Sequence, residues 1–195
     1  MVDKTTTISA PRLKALYDTN YRKELQAELG LDNAWQVPRL EKITVSAGTG
    51  KMKDSKAYQE TVKNTLTKVT GQAPITILAK KSIAGFKIRA GMGAPIGVAV
   101  TLRGARMYEF LDRLTNVALP RVRDFHGVKA KAFDRSGNYS LGIVEQSIFP
   151  ELSFEETQIL HGLQVTFVVK NGSKEHSRAL LEKFGIPFEK EGGRK

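Results

Sequence analysis

Residues 96–103 read Ile96-Gly97-Val98-Ala99-Val100-Thr101-Leu102-Arg103 and alternate without interruption. Ile96, Val98, Val100 and Leu102 fall on one side, and Gly97, Ala99, Thr101 and Arg103 on the other. A period of two over eight residues predicts a strand with one face in a core and the other open. Half-buried strands of this kind fit an antiparallel sheet covered on one side by helices.

The same alternation recurs on both sides of this stretch. Ile43, Val45 and Ala47 alternate with Thr44 and Ser46, and the strand they predict ends at the turn Gly48-Thr49-Gly50. Two more strands are predicted at Tyr139–Val144 (Tyr139, Leu141 and Ile143 inward) and Leu163–Val169 (Leu163, Val165, Phe167 and Val169 inward). A further strand, Ile75–Ala79, leads into a basic loop where Phe86–Arg89 is expected to be extended, with Phe86 and Ile88 on one face and Lys87 and Arg89 on the other. Gly91, Gly93 and Pro95 mark a tight bend there.

Steps of three and four predict helices between the strands. Leu13, Leu16, Tyr17, Tyr21, Leu25 and Leu29 define one over Arg12–Leu29, stopped by Gly30, after which Trp35 is expected to pack as an anchor in a connector. Tyr58, Val62, Leu66 and Val69 define a second, capped by Asp54 and closed by Gly71. The third spans Ala105–Leu119, with Met107, Phe110, Leu111, Leu114 and Val117 buried and Pro120 as its stop. The fourth spans Lys174–Phe184 behind a Ser173 cap. Residues 121–138 are expected as a long surface loop, Ser147–His161 as irregular chain, and 1–11 and 189–195 as flexible ends. The reading is a single α+β domain over residues 1–195, an antiparallel sheet with helices on one face in an RRM-like two-layer arrangement.

Charge narrows the function. Between Glu60 and Glu109 there is no acidic residue, while Lys63, Lys68, Lys80, Lys81, Lys87, Arg89, Arg103 and Arg106 are basic. This segment holds +8 of the formal +11, a localised field that attracts polyanions. The chain has no cysteine, which removes disulfides and thiolate chemistry. Its N-terminus lacks the apolar core of a secretory signal, and no apolar run reaches the length of a bilayer span. His126, His161 and His176 lack metal-ligand spacing, so no metal or cofactor is expected. Gly48-Thr49-Gly50-Lys51 fails as a phosphate loop because Met52 stands where Ser or Thr is required. The predicted open face shows Thr44, Ser46, Ala99, Thr101, Arg103, Gln164 and Thr166, which suits the shallow minor groove of folded RNA better than loose bases. An enzyme using the basic loop as a phosphate clamp is the alternative, but it needs carboxylates that the acid-free segment withholds from that loop.

Several motifs fall in order along the chain. They include Gln36-Val37-Pro38-Arg39, Gly71-Gln72, Ala79-Lys80-Lys81-Ser82, Gly85-Phe86-Lys87-Ile88-Arg89, Val100-Thr101-Leu102-Arg103-Gly104, Leu119-Pro120-Arg121-Val122-Arg123-Asp124-Phe125 and Gly137-Asn138-Tyr139. Together they resemble the family of bacterial large-subunit ribosomal protein number five, over roughly residues 13–188. The resemblance implies a non-catalytic, cytoplasmic ribosomal protein that binds 5S rRNA beside large-subunit rRNA and neighbouring proteins. It implies 5S rRNA contacts at Ser46, Gln72, Phe86, Thr101 and Arg103, and contacts to peptidyl-site tRNA at Ser82, Gly85, Lys87, Arg89, Gly91 and Met92. It further implies a bridge to a protein of the small-subunit head through Arg121, Arg123, Lys129, Lys131 and Arg135. This chain departs from the family pattern at Ser46 (commonly Asn), at His126 (frequently Arg) and in a longer Gly91–Ala94 loop.

Overall fold

The computed structural model describes residues 10–52, 55–86, 88, 90 and 95–189. Five strands form one sheet: β1 (Arg39–Gly48), β2 (Ile75–Leu78), β3 (Pro95–Leu102), β4 (Tyr139–Ile143) and β5 (Leu163–Lys170). Their spatial order is β2-β3-β1-β5-β4, and every neighbouring pair is antiparallel. The alternation at 96–103 and its counterparts therefore assemble as predicted, and the α+β fold with helices on one face is observed.

Helix α1 (Arg12–Leu16) continues through a π-helical turn (Tyr17–Tyr21) into α2 (Arg22–Glu28), and Gly30 at φ +61° ends it. The other helices are α3 (Lys56–Thr70), α4 (Gly104–Arg113), the single turn α5 (Phe154–Thr157) and α6 (Lys174–Lys183). Val62, Leu66 and Val69 of α3, Phe110 and Leu111 of α4, and Leu180 and Leu181 of α6 are all buried. They share one core with Ile43, Val45, Val98, Val100, Val165 and Phe167. Each such side chain contributes about 1.5–3 kcal/mol on leaving water, so this layer holds the sheet's other face open and flat.

Five expectations need correction. Trp35 is not a packed anchor: it is 74% exposed, because its amide bonds to Asn33 Oδ1 in a turn and Val37 and Leu40 fill the core beneath. Asp54 lies outside the described residues, and the cap of α3 is Ser55, whose hydroxyl accepts from Tyr58 N. Val117 is 37% exposed and Ala118 is buried in its place. The cause is a π-helical turn over Leu114–Ala118, which adds a residue to the turn and rotates the buried stripe by one position. Phe86 is not extended but belongs to a 3₁₀ turn (Ala84–Phe86) closed by reciprocal hydrogen bonds between Ile83 and Ile88 at 3.0 and 3.1 Å. The segment Ser147–His161 contains α5, started by a capping box of Ser153 and Glu156. Of the two ends expected to be flexible, only Ala10, Pro11 and Glu189 are described, and Glu189 N donates to Val128 O at 2.9 Å.

Candidate nucleic-acid interface

The register fixes the composition of the open face. Thr44 of β1 stands between Thr101 of β3 and Thr166 of β5, and Thr166 stands opposite Ser140 of β4, so one polar row crosses four strands. A second row runs Ile75, Ala99, Ser46, Gln164 and Gly142 across all five. Hydroxyls within the face bond to one another, Ser140 Oγ to Thr166 Oγ1 at 3.3 Å, so the surface is prearranged rather than loose. No side chain in either row except Gln164 and Ile75 is long enough to rise far above the backbone. An extended chain can lie close against such a face.

The predicted rRNA residues divide into two groups. Gln72 follows Gly71, whose φ of +67° turns the chain back after α3, and Gln72 Nε2 donates to Thr101 O at 3.2 Å. Gln72 and Thr101 are thus in contact, and Ser46 lies diagonally across from Thr101 on the neighbouring strand. Arg103 follows the end of β3 as the N-cap residue of α4, and its register continues that of Leu102 with Ile43, beside Lys42. Phe86 is separate. Its hairpin leaves the Pro95 end of β3, whereas Arg103 follows the Leu102 end, and the eight residues between span about 25 Å. Phe86 is 70% exposed there.

Three cations at one end of this face, Lys42, Arg39 and Lys170, are absent from the face that alternation predicts. Lys42 pairs in register with Val168, and Lys170 with Arg39, which places Lys42, Arg103, Arg39 and Lys170 at one end of the sheet. The signal was present: Lys42 extends the series Thr44, Ser46, and Lys170 extends Gln164, Thr166, each by continuing the alternation. None of these four has an acidic partner among the described residues. By contrast, the ion pairs found there all belong to the helix layer: Arg12–Asp112, Lys68–Glu156, Arg113–Glu151, Arg178–Glu182 and Lys183 with Glu24 and Glu28. Among the described residues, four cations without an acidic partner thus gather at one end of the open face.

Of the predicted tRNA residues, Lys87, Arg89, Gly91 and Met92 lie outside the described residues. Ser82 and Gly85 are exposed, and Ser82 Oγ accepts from Ala90 N at 3.0 Å, which ties the base of the hairpin.

The five predicted bridge residues are all exposed on the 121–138 loop. This loop is more ordered than its composition suggests. Val128 N donates to Pro187 O at 2.8 Å, Tyr139 Oη donates to Lys129 O at 2.9 Å, and the Phe133 ring lies 4.7 Å from that of Tyr139. Val128 and Ala130 point inward while Lys129 and Lys131 point out. The Asp134 carboxyl closes the tip by accepting from Asn138 Nδ2 and from the amides of Asn138 and Ser136, and these bonds hold its pKa below the ordinary value. Among the described residues no group of three or more His, Asp or Glu is placed to hold a metal ion.

Fold and face together define a class: a one-sided α+β sheet protein with an open, hydroxyl-rich and cationic surface. The profile of the family described as "Ribosomal protein L5" matches residues 33–89, and the profile of that ribosomal family's C-terminus matches residues 95–188. The "Large ribosomal subunit protein uL5" of Psychrobacter sp. (strain PRwf-1) is 49% identical over 177 residues, covering 91% of this chain and 98% of that one. The protein of the same name from Sulfurimonas denitrificans is 51% identical over 170 residues, covering 87% and 92%. That of Anaeromyxobacter sp. (strain K) is 50% identical over 179 residues, covering 92% and 98%. The chain belongs to the ribosomal protein L5 family. Its role is that of a structural constituent of the large ribosomal subunit rather than of an enzyme, located in the ribosome within the cytoplasm, with rRNA and ribosomal proteins as partners.

Proposed function

We propose that the open sheet face and the Gly71-Gln72 turn bind 5S rRNA. The observation that carries this reading is the gathering of cations at one end of the open face. Arg103, Arg39, Lys42 and Lys170 stand without an acidic partner among the described residues at the edge of a polar, hydroxyl-bearing face. A backbone lying across Thr44, Thr101 and Thr166 meets hydroxyl donors and acceptors along its length, and the cations meet its phosphates. The Ile83–Ile88 hairpin contacts peptidyl-site tRNA in this reading, supported by its exposure and by the basic sequence around it. The loop pinned by Val128 and Phe133 presents Arg121, Arg123, Lys129, Lys131 and Arg135 to a protein of the small-subunit head.

The test is a gel shift of the full chain with 5S rRNA against tRNA and random-RNA competitors. Arg103→Ala should weaken 5S rRNA binding by about 1.5–3 kcal/mol, the worth of a hydrogen bond to a charged group. The affinity should also fall on a log–log plot as salt rises, because the contacts release counterions. Unchanged affinity in a folded Arg103→Ala protein, or a flat salt response, would remove the sheet face from the binding site.

A further inference from the structure

A second feature lies at the same cationic end of the sheet. A cleft of about 340 Å³ opens between the first helix and the 31–38 connector, at the small end of the range for pockets that hold a small molecule. Its floor is apolar and aromatic, with Tyr17, Met107 and Tyr108, and Trp35 forms part of its wall. Trp35 is the only tryptophan of the chain. Its exposure is not looseness. Trp35 N is held by Asn33 Oδ1 at 2.8 Å, Trp35 O accepts from Asn171 Nδ2 at 2.6 Å, and Arg22 both donates to Ala34 O and lies 5.3 Å from the indole centroid. The Arg22 guanidinium lies over one face of the indole, and an indole 74% exposed and held outward by its own backbone offers its other face as a stacking platform for a base.

The rim carries two kinds of charge. Arg22 and Arg39 are cationic, and Arg39 continues into Lys170 and Lys42 along the end of the sheet. Asp18 and Glu41 are the acids of the lining, and neither has an ion-pair partner among the described residues. A carboxylate repels phosphate and accepts hydrogen bonds only. It therefore favours a base edge made of donors. Among the four bases, guanine presents two adjacent donors, N1–H and N2–H₂, on its Watson–Crick edge.

We propose that this cleft takes one unstacked guanine of a bound RNA, stacked on the face of Trp35 away from Arg22 and read by Asp18 or Glu41, with Arg39 and Lys170 on the flanking phosphates. The inference rests on the RNA-binding reading of the sheet face and extends it to a base-specific contact.

The single tryptophan makes the test direct. The full chain is titrated with GMP and with AMP at constant ionic strength while Trp35 emission is followed. GMP quenches saturably, and AMP requires about ten-fold higher concentration, the discrimination expected of a paired hydrogen-bonded edge. The double variant Asp18→Asn, Glu41→Gln brings the two nucleotides to within about two-fold of each other, since amides lose the acceptor-only character. Absence of saturable quenching by GMP overturns the proposal, as expected if the cleft instead anchors a protein. Equal quenching by GMP and AMP overturns it too, as does full discrimination retained in the double variant. A parallel titration with 5S rRNA separates this inference from the reading beneath it. Binding seen by gel shift with Trp35 emission unchanged refutes the cleft and leaves the sheet face standing. Failure to bind 5S rRNA refutes the sheet-face reading, while the GMP titration still judges the cleft.

Discussion

Replacing Tyr139 with Phe isolates one hydroxyl and yields two effects of opposite sign. Tyr139 is 1% exposed, and its Oη donates to Lys129 O at 2.9 Å while its ring packs against Phe133, Phe167 and Phe188. Phe keeps the ring contacts and removes only the hydrogen bond, leaving a carbonyl of the 121–138 loop without its partner. The cost near neutral pH is about 1–2 kcal/mol. Burial, with a smaller push from Glu189, raises the phenol pKa from its ordinary 10 to about 12. Below pH 10 the group is protonated in both folded and unfolded chains and has no pH effect. Above pH 10 the unfolded chain releases the proton first, so the wild type loses stability as pH rises toward 12, by about 2–3 kcal/mol. The variant lacks that loss. Tyr108, also raised to about 12 by burial, is present in both proteins and cancels. Urea unfolding followed by circular dichroism across pH 8–12 should therefore show Tyr139→Phe the less stable at pH 8, with the two curves crossing at about pH 11. Hydrogen exchange at pH 7 should quicken for the amides of residues 128–132 in the variant. Parallel stability curves over the whole range would refute the account, because they would mean that the hydroxyl is hydrated in the folded protein.

Three further outcomes follow from individual sites. His161 is buried with its Nε2 unpartnered, and burial lowers its pKa; stability should fall as pH drops below about 6.5, and His161→Phe should flatten that slope in urea titrations. Gly137 has φ +79°, and a Cβ there would stand 2.8 Å from Ser173 O and Ser177 Oγ. Gly137→Ala should consequently cost more than about 2 kcal/mol in chemical unfolding. Lys129→Glu with Lys131→Glu alters two exposed side chains beside buried Val128 and Ala130. The melting temperature should be unchanged, and subunit association on sucrose gradients should weaken; normal association would remove this loop from the bridge.

How far the site was readable depended on where its information lay. Ser46, Thr44, Thr101 and Thr166 were assigned to one face by alternation, and the register places them in adjacent rows. The contact of Gln72 with Thr101 joins residues 29 apart and could not be read from spacing. Alternation puts Phe86 on an extended piece, yet the reciprocal bonds of Ile83 with Ile88 tighten the chain into a hairpin away from Arg103. The loop at 121–138 seemed patternless because its anchors, Pro187 and Phe188, lie at the far end of the chain.

Local periods belong to the chain alone: they mark most of the strands and helices and the apolar half of each. Those follow from interactions between near neighbours and from the 2.0 and 3.6 repeats, so they survive without knowledge of the rest. Tertiary structure alone decided the strand order, the gathering of Lys42, Arg103, Arg39 and Lys170 at one end, and the pairing of the acids with the helix-layer cations. It also decided that Trp35 faces outward, because the space an indole would fill was already taken by Val37 and Leu40. Core volume is shared among all elements, and no local pattern records which side chain occupies it first.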